Sequence, residues 1–265
     1  HARIVADDGP MRIERESSLP IERWNAQVSL MTGMAAAELM LAGRVGILRT
    51  MPPAADEDVA AFRAQTVALG VPWAAEVAYG DYLRDLDRAD PRALAVLDAA
   101  TGLFRGAGYV AFDGEVPDQT VQAAIAAPYA HTTAPLRRLV DRWSLVICEA
   151  IANDRPIPGW ARESLESIPG LMAASDSIAS RFRAGALDRV EPAVLADREG
   201  AAFEGVVLRE RGEGATATIR VQLADPPVTA TASGAHDGVG TRVRVRLMRA
   251  EVATGELVFT TEDGR

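Results

Sequence analysis

Apolar residues recur at helical spacing through most of the first 197 residues of the chain. Two of these runs are long enough to predict amphipathic helices, each with one side facing a core. They consist of Ile21, Trp24, Val28, Met31, Ala35 and Leu39, and of Leu136, Leu139, Val140, Trp143 and Ile147. Gly33 and the alanines at positions 35–37 keep the first helix thin, so another element can approach it closely. We therefore expect the 21–41 helix to pack against a helix over residues 133–147.

Shorter segments complete this helix-rich part of the chain. The periodicity predicts helices over residues 55–69, 81–86, 160–165 and 169–182, and a further helix capped by Asp90-Pro91. Residues 106–114 alternate between apolar and polar positions and end in Asp-Gly, which predicts a strand followed by a turn.

Beyond about residue 197 the apolar positions alternate instead. Short alternating stretches lie at residues 203–208, 218–223, 242–247 and 257–259, and a Gly-rich turn, Gly212-Glu213-Gly214, follows the first. Such strands and turns predict a small closed β-barrel. The predicted fold class is therefore α+β, with a helix-rich domain over residues 1–197 and a β-barrel domain over residues 198–265.

Residues 129–142 carry the side chains best suited to chemistry. Their pattern predicts a loop that turns into a helix, because Thr132 and Thr133 can cap it and Pro135 suits its first turn. Arg137 and Arg138 would lie in that first turn, where free N–H groups and guanidinium groups favour a phosphate ligand. The alternative is a capped core helix in which Arg137 pairs with Asp141.

This stretch, Y-A-H-T-T-A-P-L-R-R-L-V-D-R, resembles the Y-x-H-x-T-S/A-P-L/I-R-R-x-x-D signature of the RNB domain. That domain is the catalytic domain of the RNase II and RNase R exoribonucleases. Residues 24–40 and 46–53 resemble two further segments of the family, a helix and a G-I/L-x-R-x-x-x-P motif. Two positions depart from the family pattern, since Gln27 stands where a glutamate is usual and Gly33 where an asparagine is usual.

The barrel region is similar to an S1-type OB fold, which commonly ends RNB nucleases. Arg242, Arg244 and Arg246 lie on one face of a predicted strand, opposite Val243 and Val245. This row of arginines would follow an RNA backbone, or else form a solvated strand face.

The resemblance implies hydrolysis of single-stranded RNA from its 3′ end to nucleoside 5′-monophosphates, with Mg²⁺ held by an aspartate cluster. It implies Arg137 as the catalytic residue that grips the scissile phosphate. Tyr129, His131, Thr133 and Arg138 would bind RNA beside it. The family's D-x-D-D segment is not found in the sequence, and Asp7-Asp8 lacks its context. We therefore expect the Mg²⁺ ligands upstream of residue 1, and a fragment that is inactive by itself.

The amino-acid composition limits the classes of protein to which the chain can belong. The 28 basic residues are all arginine and the net charge is −9, which argues against a surface covered in nucleic-acid-binding charge but leaves room for a basic channel. Cys148 is the single cysteine, which excludes an internal disulfide and fits a reducing compartment. No apolar run is long enough to span a membrane. Together with the resemblance to the RNB family, which implies single-stranded RNA as the ligand, these features lead us to expect a cytoplasmic monomer.

Two function classes follow from the sequence. The first is part of an RNB-family exoribonuclease, which the intact signature around Arg137 favours. The second is a non-catalytic RNB/S1 protein that holds RNA without cutting it, which Gln27 and the acidic net charge favour.

Overall fold

The computed structural model describes residues 2–5, 12–15, 19–103, 105–212, 217–226 and 228–262. Asp7-Asp8 and most of the predicted turn at residues 212–214 lie outside these residues. The helices are α1 (Pro20–Ala42), α2 (Asp56–Ala68), α3 (Tyr79–Asp85), α4 (Pro91–Ala100), α5 (Leu139–Ala152), α6 (Gly159–Ser164) and α7 (Ile168–Leu195). The strands are β1 (Ala2–Val5), β2 (Arg12–Arg15), β3 (Val45–Thr50), β4 (Gly108–Asp113), β5 (Val121–Gln122), β6 (Ala127–Pro128), β7 (Ala202–Arg211), β8 (Thr218–Leu223), β9 (Thr229–Ser233), β10 (Arg242–Glu251) and β11 (Glu256–Thr261). None of the helices in these ranges is both long and apolar enough to cross a membrane.

The chain divides by its internal contacts into two units. We call the unit formed by Ser18–Ala54 and Phe104–Arg181 the site unit. We call the other, formed by His1–Ser17, Ala55–Leu103 and Phe182–Arg265, the barrel unit. The domain boundary near residue 197 stays a prediction.

The site unit is built on two helices and a strand pair. Helix α1 packs against α5, as the sequence predicted, and the Cys148 thiol lies 3.6 Å from the Ala36 carbonyl oxygen. Strands β3 and β4 pair antiparallel beside these helices. The core contains Ala36, Ala37, Met40, Val45, Ile47, Leu48, Phe112, Ala130, Val140, Ile147, Leu165, Ile168 and Met172.

Helix α1 buries a different face from the one that its apolar periodicity predicted. The buried positions are Gly33, Ala36, Ala37 and Met40, whereas the predicted face is largely exposed. The side chains of Ile21, Trp24, Val28 and Met31 are between 56% and 66% exposed. The prediction was wrong because the small residues let the 129–130 loop and α5 approach the helix closely, which larger side chains would prevent.

The helix after the signature begins later than predicted. Helix α5 starts at Leu139, and residues 134–138 form a turn in which the Arg137 and Arg138 amides both donate to the Ala134 carbonyl, at 3.2 and 3.0 Å. Leu136, predicted to face the core, is 94% exposed. Arg137 and Arg138 therefore precede the helix instead of lying in its first turn. Helix α7 runs beyond residue 182, where the prediction ended it.

The barrel unit contains the predicted β-barrel, closed by five strands. Strand β7 pairs with β8 and β10, β8 with β9, and β10 with β11, all antiparallel, while β9 and β11 pair in parallel. The interior includes Phe203, Val207, Ile219, Val221, Leu223, Val243, Val245, Leu247 and Phe259. Strand β9 was not predicted, because its sequence, T-A-T-A-S, offers only small residues to the pattern. The α+β fold class with a C-terminal barrel is confirmed.

Candidate functional site

The signature loop lies on helix α1 and strand β3 of the site unit. The Ala130 amide donates to the Gly33 carbonyl at 3.0 Å, and the Arg49 amide donates to the Tyr129 carbonyl at 2.8 Å. The Thr133 hydroxyl lies 2.8 Å from the Ser29 hydroxyl. The close approach depends on Gly33, since a Cβ there would lie 2.2 Å from Tyr129 Cε2. These contacts fix the backbone that presents the predicted site residues.

The carboxylate of Asp141 organises the turn before α5. It is fully buried and accepts a hydrogen bond from the Ala134 amide at 2.6 Å. Its two oxygens also accept from Nε and Nη2 of Arg138, each at 2.8 Å. A bidentate pair of this kind fixes both distance and orientation. Asp141 therefore pairs with Arg138. The capped-core-helix alternative of the sequence analysis predicted that Asp141 would pair with Arg137.

Arg137 lies next to this pair with its side chain exposed. Within the described residues its guanidinium makes no hydrogen bond or ion pair, so it remains free for an anionic ligand. Arg142, one turn into α5, donates from Nε to the Pro135 carbonyl at 2.9 Å and so helps to hold the loop. The loop therefore has two arginines whose guanidinium groups anchor it and one whose guanidinium is unpaired among the described residues.

His131 and Tyr109 form a hydrogen-bonded pair beside the loop. Tyr109 Oη lies 2.7 Å from His131 Nδ1, and the edge of the Tyr129 ring contacts the imidazole at a centroid distance of 5.5 Å. Burial, and next the positive charge of Arg138, lower the pKa of His131 to about 4. The imidazole is therefore neutral at neutral pH, with one nitrogen engaged by Tyr109 and the other able to bind a ligand.

Arg49 was missed as a site residue by the sequence analysis. Its guanidinium lies over the Tyr109 ring, 4.6 Å from the ring centroid. Its positive charge also contributes to the lowered pKa of His131, as does that of Arg137. The sequence offers one indication of this residue, because Arg49 is the arginine of the G-I/L-x-R motif. The sequence analysis assigned no role to it.

The described residues do not form a metal site. No three His, Cys, Asp or Glu side chains within the described ranges come together in a way that would hold a metal ion. Asp141, the buried carboxylate of the site, is occupied by Arg138 and the Ala134 amide. The carboxylates that Mg²⁺ requires are thus not provided by this part of the chain.

The predicted row of arginines on the barrel is present, and two of its three members are paired with acids. Arg242, Arg244 and Arg246 are exposed on β10. Arg244 Nε lies 2.9 Å from Glu262 Oε2, and Arg246 forms an ion pair with the same carboxylate. This pairing reduces the positive charge that the face presents to an RNA backbone.

A second basic surface of the barrel was not foreseen. A groove of about 330 Å³ lies across β7, β8 and β9, and we call it the barrel groove. Its polar lining consists of Arg209, Glu210, Arg211, Thr218, Arg220, Thr229 and Thr231. Arg209 is held by Asp98 at 2.5 Å, whereas Arg211 and Arg220 are exposed and make no close ion pair among the described residues. The sequence analysis did not predict this groove, because it did not predict β9.

The comparisons with known proteins agree with this architecture. Residues 201–262 match the family model of the RNase II-type exonuclease C-terminal S1 domain. No curated protein matches the chain by sequence. The apo form of Mycoplasma genitalium RNase R is similar in structure, with a TM-score of 0.82 and 13% identity over 99% of this chain and 45% of that one. The same RNase R has been solved with ribose-methylated single-stranded RNA and with double-stranded RNA.

Two further structures share the fold. An active-site mutant of the Dss1 exoribonuclease from Candida glabrata has a TM-score of 0.69 and 12% identity over 99% of this chain and 31% of that one. Yeast Ssd1, a pseudonuclease, has a TM-score of 0.62 and 18% identity over 84% of this chain and 29% of that one. The chain spans less than half the length of each of these proteins. The resemblance to RNB exoribonucleases is thus confirmed in the fold, and the C-terminal barrel matches their S1 domain.

Proposed function

We propose that this chain is part of an RNB-family 3′-5′ exoribonuclease that hydrolyses single-stranded RNA to nucleoside 5′-monophosphates. The observation that carries the proposal is the different environment of two adjacent arginines. Asp141 binds Arg138 through both carboxylate oxygens, while the exposed Arg137 has no partner within the described residues. A fixed loop that presents one free guanidinium is suited to a substrate phosphate.

In this proposal Arg137 binds the scissile phosphate and stabilises the negative charge that grows on its oxygens as water attacks. Its planar fork of donors matches two phosphate oxygens at once. Neutral His131 offers a ring nitrogen to the RNA without adding a further positive charge to the site. Thr133, which is exposed on the same loop, completes the contacts to the sugar and phosphate, whereas Tyr129 is buried and its RNA-binding role stays a prediction.

The barrel supplies the second RNA contact in this proposal. Arg211 and Arg220 of the barrel groove carry exposed charge with no close ion pair in the described part, and the groove's threonine hydroxyls can bind phosphate or ribose oxygens. Among the described residues that line the groove none is aromatic, so we assign the contact to the RNA backbone instead of stacked bases. Arg242, Arg244 and Arg246 stay a predicted RNA-binding face.

Mg²⁺ belongs to the proposal, because the family that the signature resembles uses it. Since the described residues do not provide its ligands, we assign these to carboxylates upstream of residue 1. The ion would supply charge neutralisation and an activated water. A cytoplasmic location and a monomeric state complete the proposal.

The experiment is a product analysis with the full-length gene product and Mg²⁺. Single-stranded oligoadenylate labelled at its 5′ end should shorten from the 3′ end, with 5′-AMP as the released product. The 265-residue chain alone should leave the RNA intact. Internal cuts, or release of nucleoside 3′-monophosphates, would contradict the proposed reaction.

The second candidate function is RNA binding without cleavage. It is favoured by Gln27, which stands where the family usually has a glutamate and lines an open cavity of about 550 Å³ along α1 with Met31 and Glu38. An amide cannot replace a carboxylate as a base or as an anionic ligand. Yeast Ssd1 is a pseudonuclease that shares the fold. This alternative predicts that the full-length protein binds oligoadenylate and releases no mononucleotide with Mg²⁺ or Mn²⁺.

A further inference from the structure

Arg49 is held in one orientation by the strand pair beneath the site. It lies on β3 directly opposite Tyr109 on β4, and its amide is bonded to the Tyr129 carbonyl. The guanidinium lies over the Tyr109 ring at 4.6 Å from the centroid. Stacking on an aromatic face occupies one face of the guanidinium plane and leaves the N–H donors at its edge free.

The side chain of Arg49 is half-buried. In the part of the chain that the structure describes, it makes no hydrogen bond and no ion pair. Two carboxylates lie in the neighbourhood, since the charges of Asp141 and Asp176 both act on Tyr109. Asp141 is occupied by Arg138, and Asp176 forms no ion pair with Arg49. Because the Tyr109 ring covers only one face of the guanidinium plane, the N–H donors of this half-buried cation lack an acceptor among the described residues, and the position favours an anionic ligand.

We propose that Arg49 binds a second backbone phosphate of the RNA strand whose scissile phosphate Arg137 holds. The naming of RNA as the ligand rests on the proposed function, whereas the assignment of an oxyanion site to Arg49 does not. A phosphate diester fits because its two unesterified oxygens match the exposed edge of a stacked guanidinium. Tyr109, the ring beneath Arg49, is hydrogen-bonded to His131 of the same loop that carries Arg137, so one ligand strand can reach both arginines.

The test compares RNA affinity and its salt dependence in the 265-residue chain. Fluorescence anisotropy with labelled oligoadenylate would be recorded over a range of salt concentrations for the wild type, Arg49→Ala and Arg49→Lys. Arg155→Ala is the matched control, because Arg155 is an exposed arginine of the site unit that is already paired with Glu149 at 3.0 Å. Circular dichroism would establish that every variant is folded.

The expected results separate charge from geometry. Arg49→Ala should reduce the slope of log K against log salt by about 0.7, the value for one phosphate contact to a single strand. That slope corresponds to about fivefold weaker binding at 0.1 M salt. Arg49→Lys should keep the slope but still weaken binding, since an ammonium cannot stack or bind two oxygens in the same way. Arg155→Ala should leave both quantities unchanged.

A second probe separates this inference from the proposed function. Inorganic pyrophosphate would be titrated while the Nε–H resonance of Arg49 is followed by NMR, identified by its absence in Arg49→Lys. A shift of that resonance without RNA binding by the wild type would retain the oxyanion site and reject RNA as its ligand. If neither RNA affinity nor pyrophosphate binding depends on Arg49, the inference is wrong.

Discussion

The carboxylate of Asp141 binds the guanidinium of Arg138 through two hydrogen bonds of 2.8 Å, and the Asp141 side chain is fully buried. The pair spans the junction between the signature loop and α5, because Asp141 also accepts from the Ala134 amide. Its consequence is that Arg138 orients the loop while Arg137 remains free. The RNA-binding role predicted for Arg138 stays a prediction.

Substitution of Asp141 should be costly for stability. Asp141→Asn leaves the guanidinium of Arg138 without its counter-ion in a site where the Arg138 side chain is only 19% exposed. We expect a loss of about 3–5 kcal/mol in the free energy of unfolding, measured by urea denaturation. Glu149→Gln, at the exposed pair with Arg155, is the control and should cost less than about 1 kcal/mol. Equal losses in the two variants would show that Asp141 does not organise the loop.

The pH dependence of stability should contain a contribution from His131. Its pKa is lowered from 6.5 to about 4 in the folded protein, so the unfolded chain binds the proton more tightly. The contribution is therefore fully present above about pH 6.5 and is lost as the pH falls toward 4. Urea denaturation over this range should give a flatter profile for His131→Asn than for wild type. A profile for His131→Asn that is as steep as that of the wild type would contradict the assignment.

Gly33 should not tolerate a side chain. A Cβ at this position would lie 2.6 Å from the Ala130 carbonyl oxygen as well as 2.2 Å from the Tyr129 ring, so the loop must move. Gly33→Ala should lower the free energy of unfolding by about 1–3 kcal/mol, as overpacking does. Gly170→Ala is the matched control in α7, because a Cβ there meets nothing within 4 Å and alanine favours the helix. A thermal melt in which both variants match the wild type would refute the close packing.

The sequence predicted the elements better than their contacts. Alternation identified four of the five barrel strands, and the RNB signature identified the loop that carries Arg137. The buried face of α1 was predicted wrongly, because the spacing of apolar residues shows only which positions are apolar. It does not show that small residues such as Gly33 and Ala37 let other elements pack more closely against the helix than a large residue such as Trp24 does. The pairing of Asp141 with Arg138, and the stacking of Arg49 on Tyr109, depend on chain segments that only the folded structure brings together.

The barrel variants should distinguish its two basic surfaces. Arg220→Ala in the barrel groove should weaken binding of oligoadenylate about fivefold at 0.1 M salt, the effect of one phosphate contact. Arg244→Ala should have a smaller effect, because Glu262 already offsets the charge of Arg244. Fluorescence anisotropy with the 265-residue chain measures both. A larger loss for Arg244→Ala would assign the RNA contact to β10, as the sequence first predicted.

The central claim concerns Arg137, and it is tested most directly by single-turnover cleavage with the full-length protein at fixed salt. Arg137→Ala should lower the cleavage rate by about 10²–10³-fold while changing RNA affinity only a few-fold, because the guanidinium stabilises transition-state charge. Arg137→Lys should also lower the cleavage rate, since a lysine side chain lacks the planar fork of donors. Arg155→Ala is the control, because Arg155 is exposed on the site unit and is already paired with Glu149. If Arg137→Ala cleaves RNA as fast as Arg155→Ala, or loses only affinity, the catalytic role of Arg137 is contradicted.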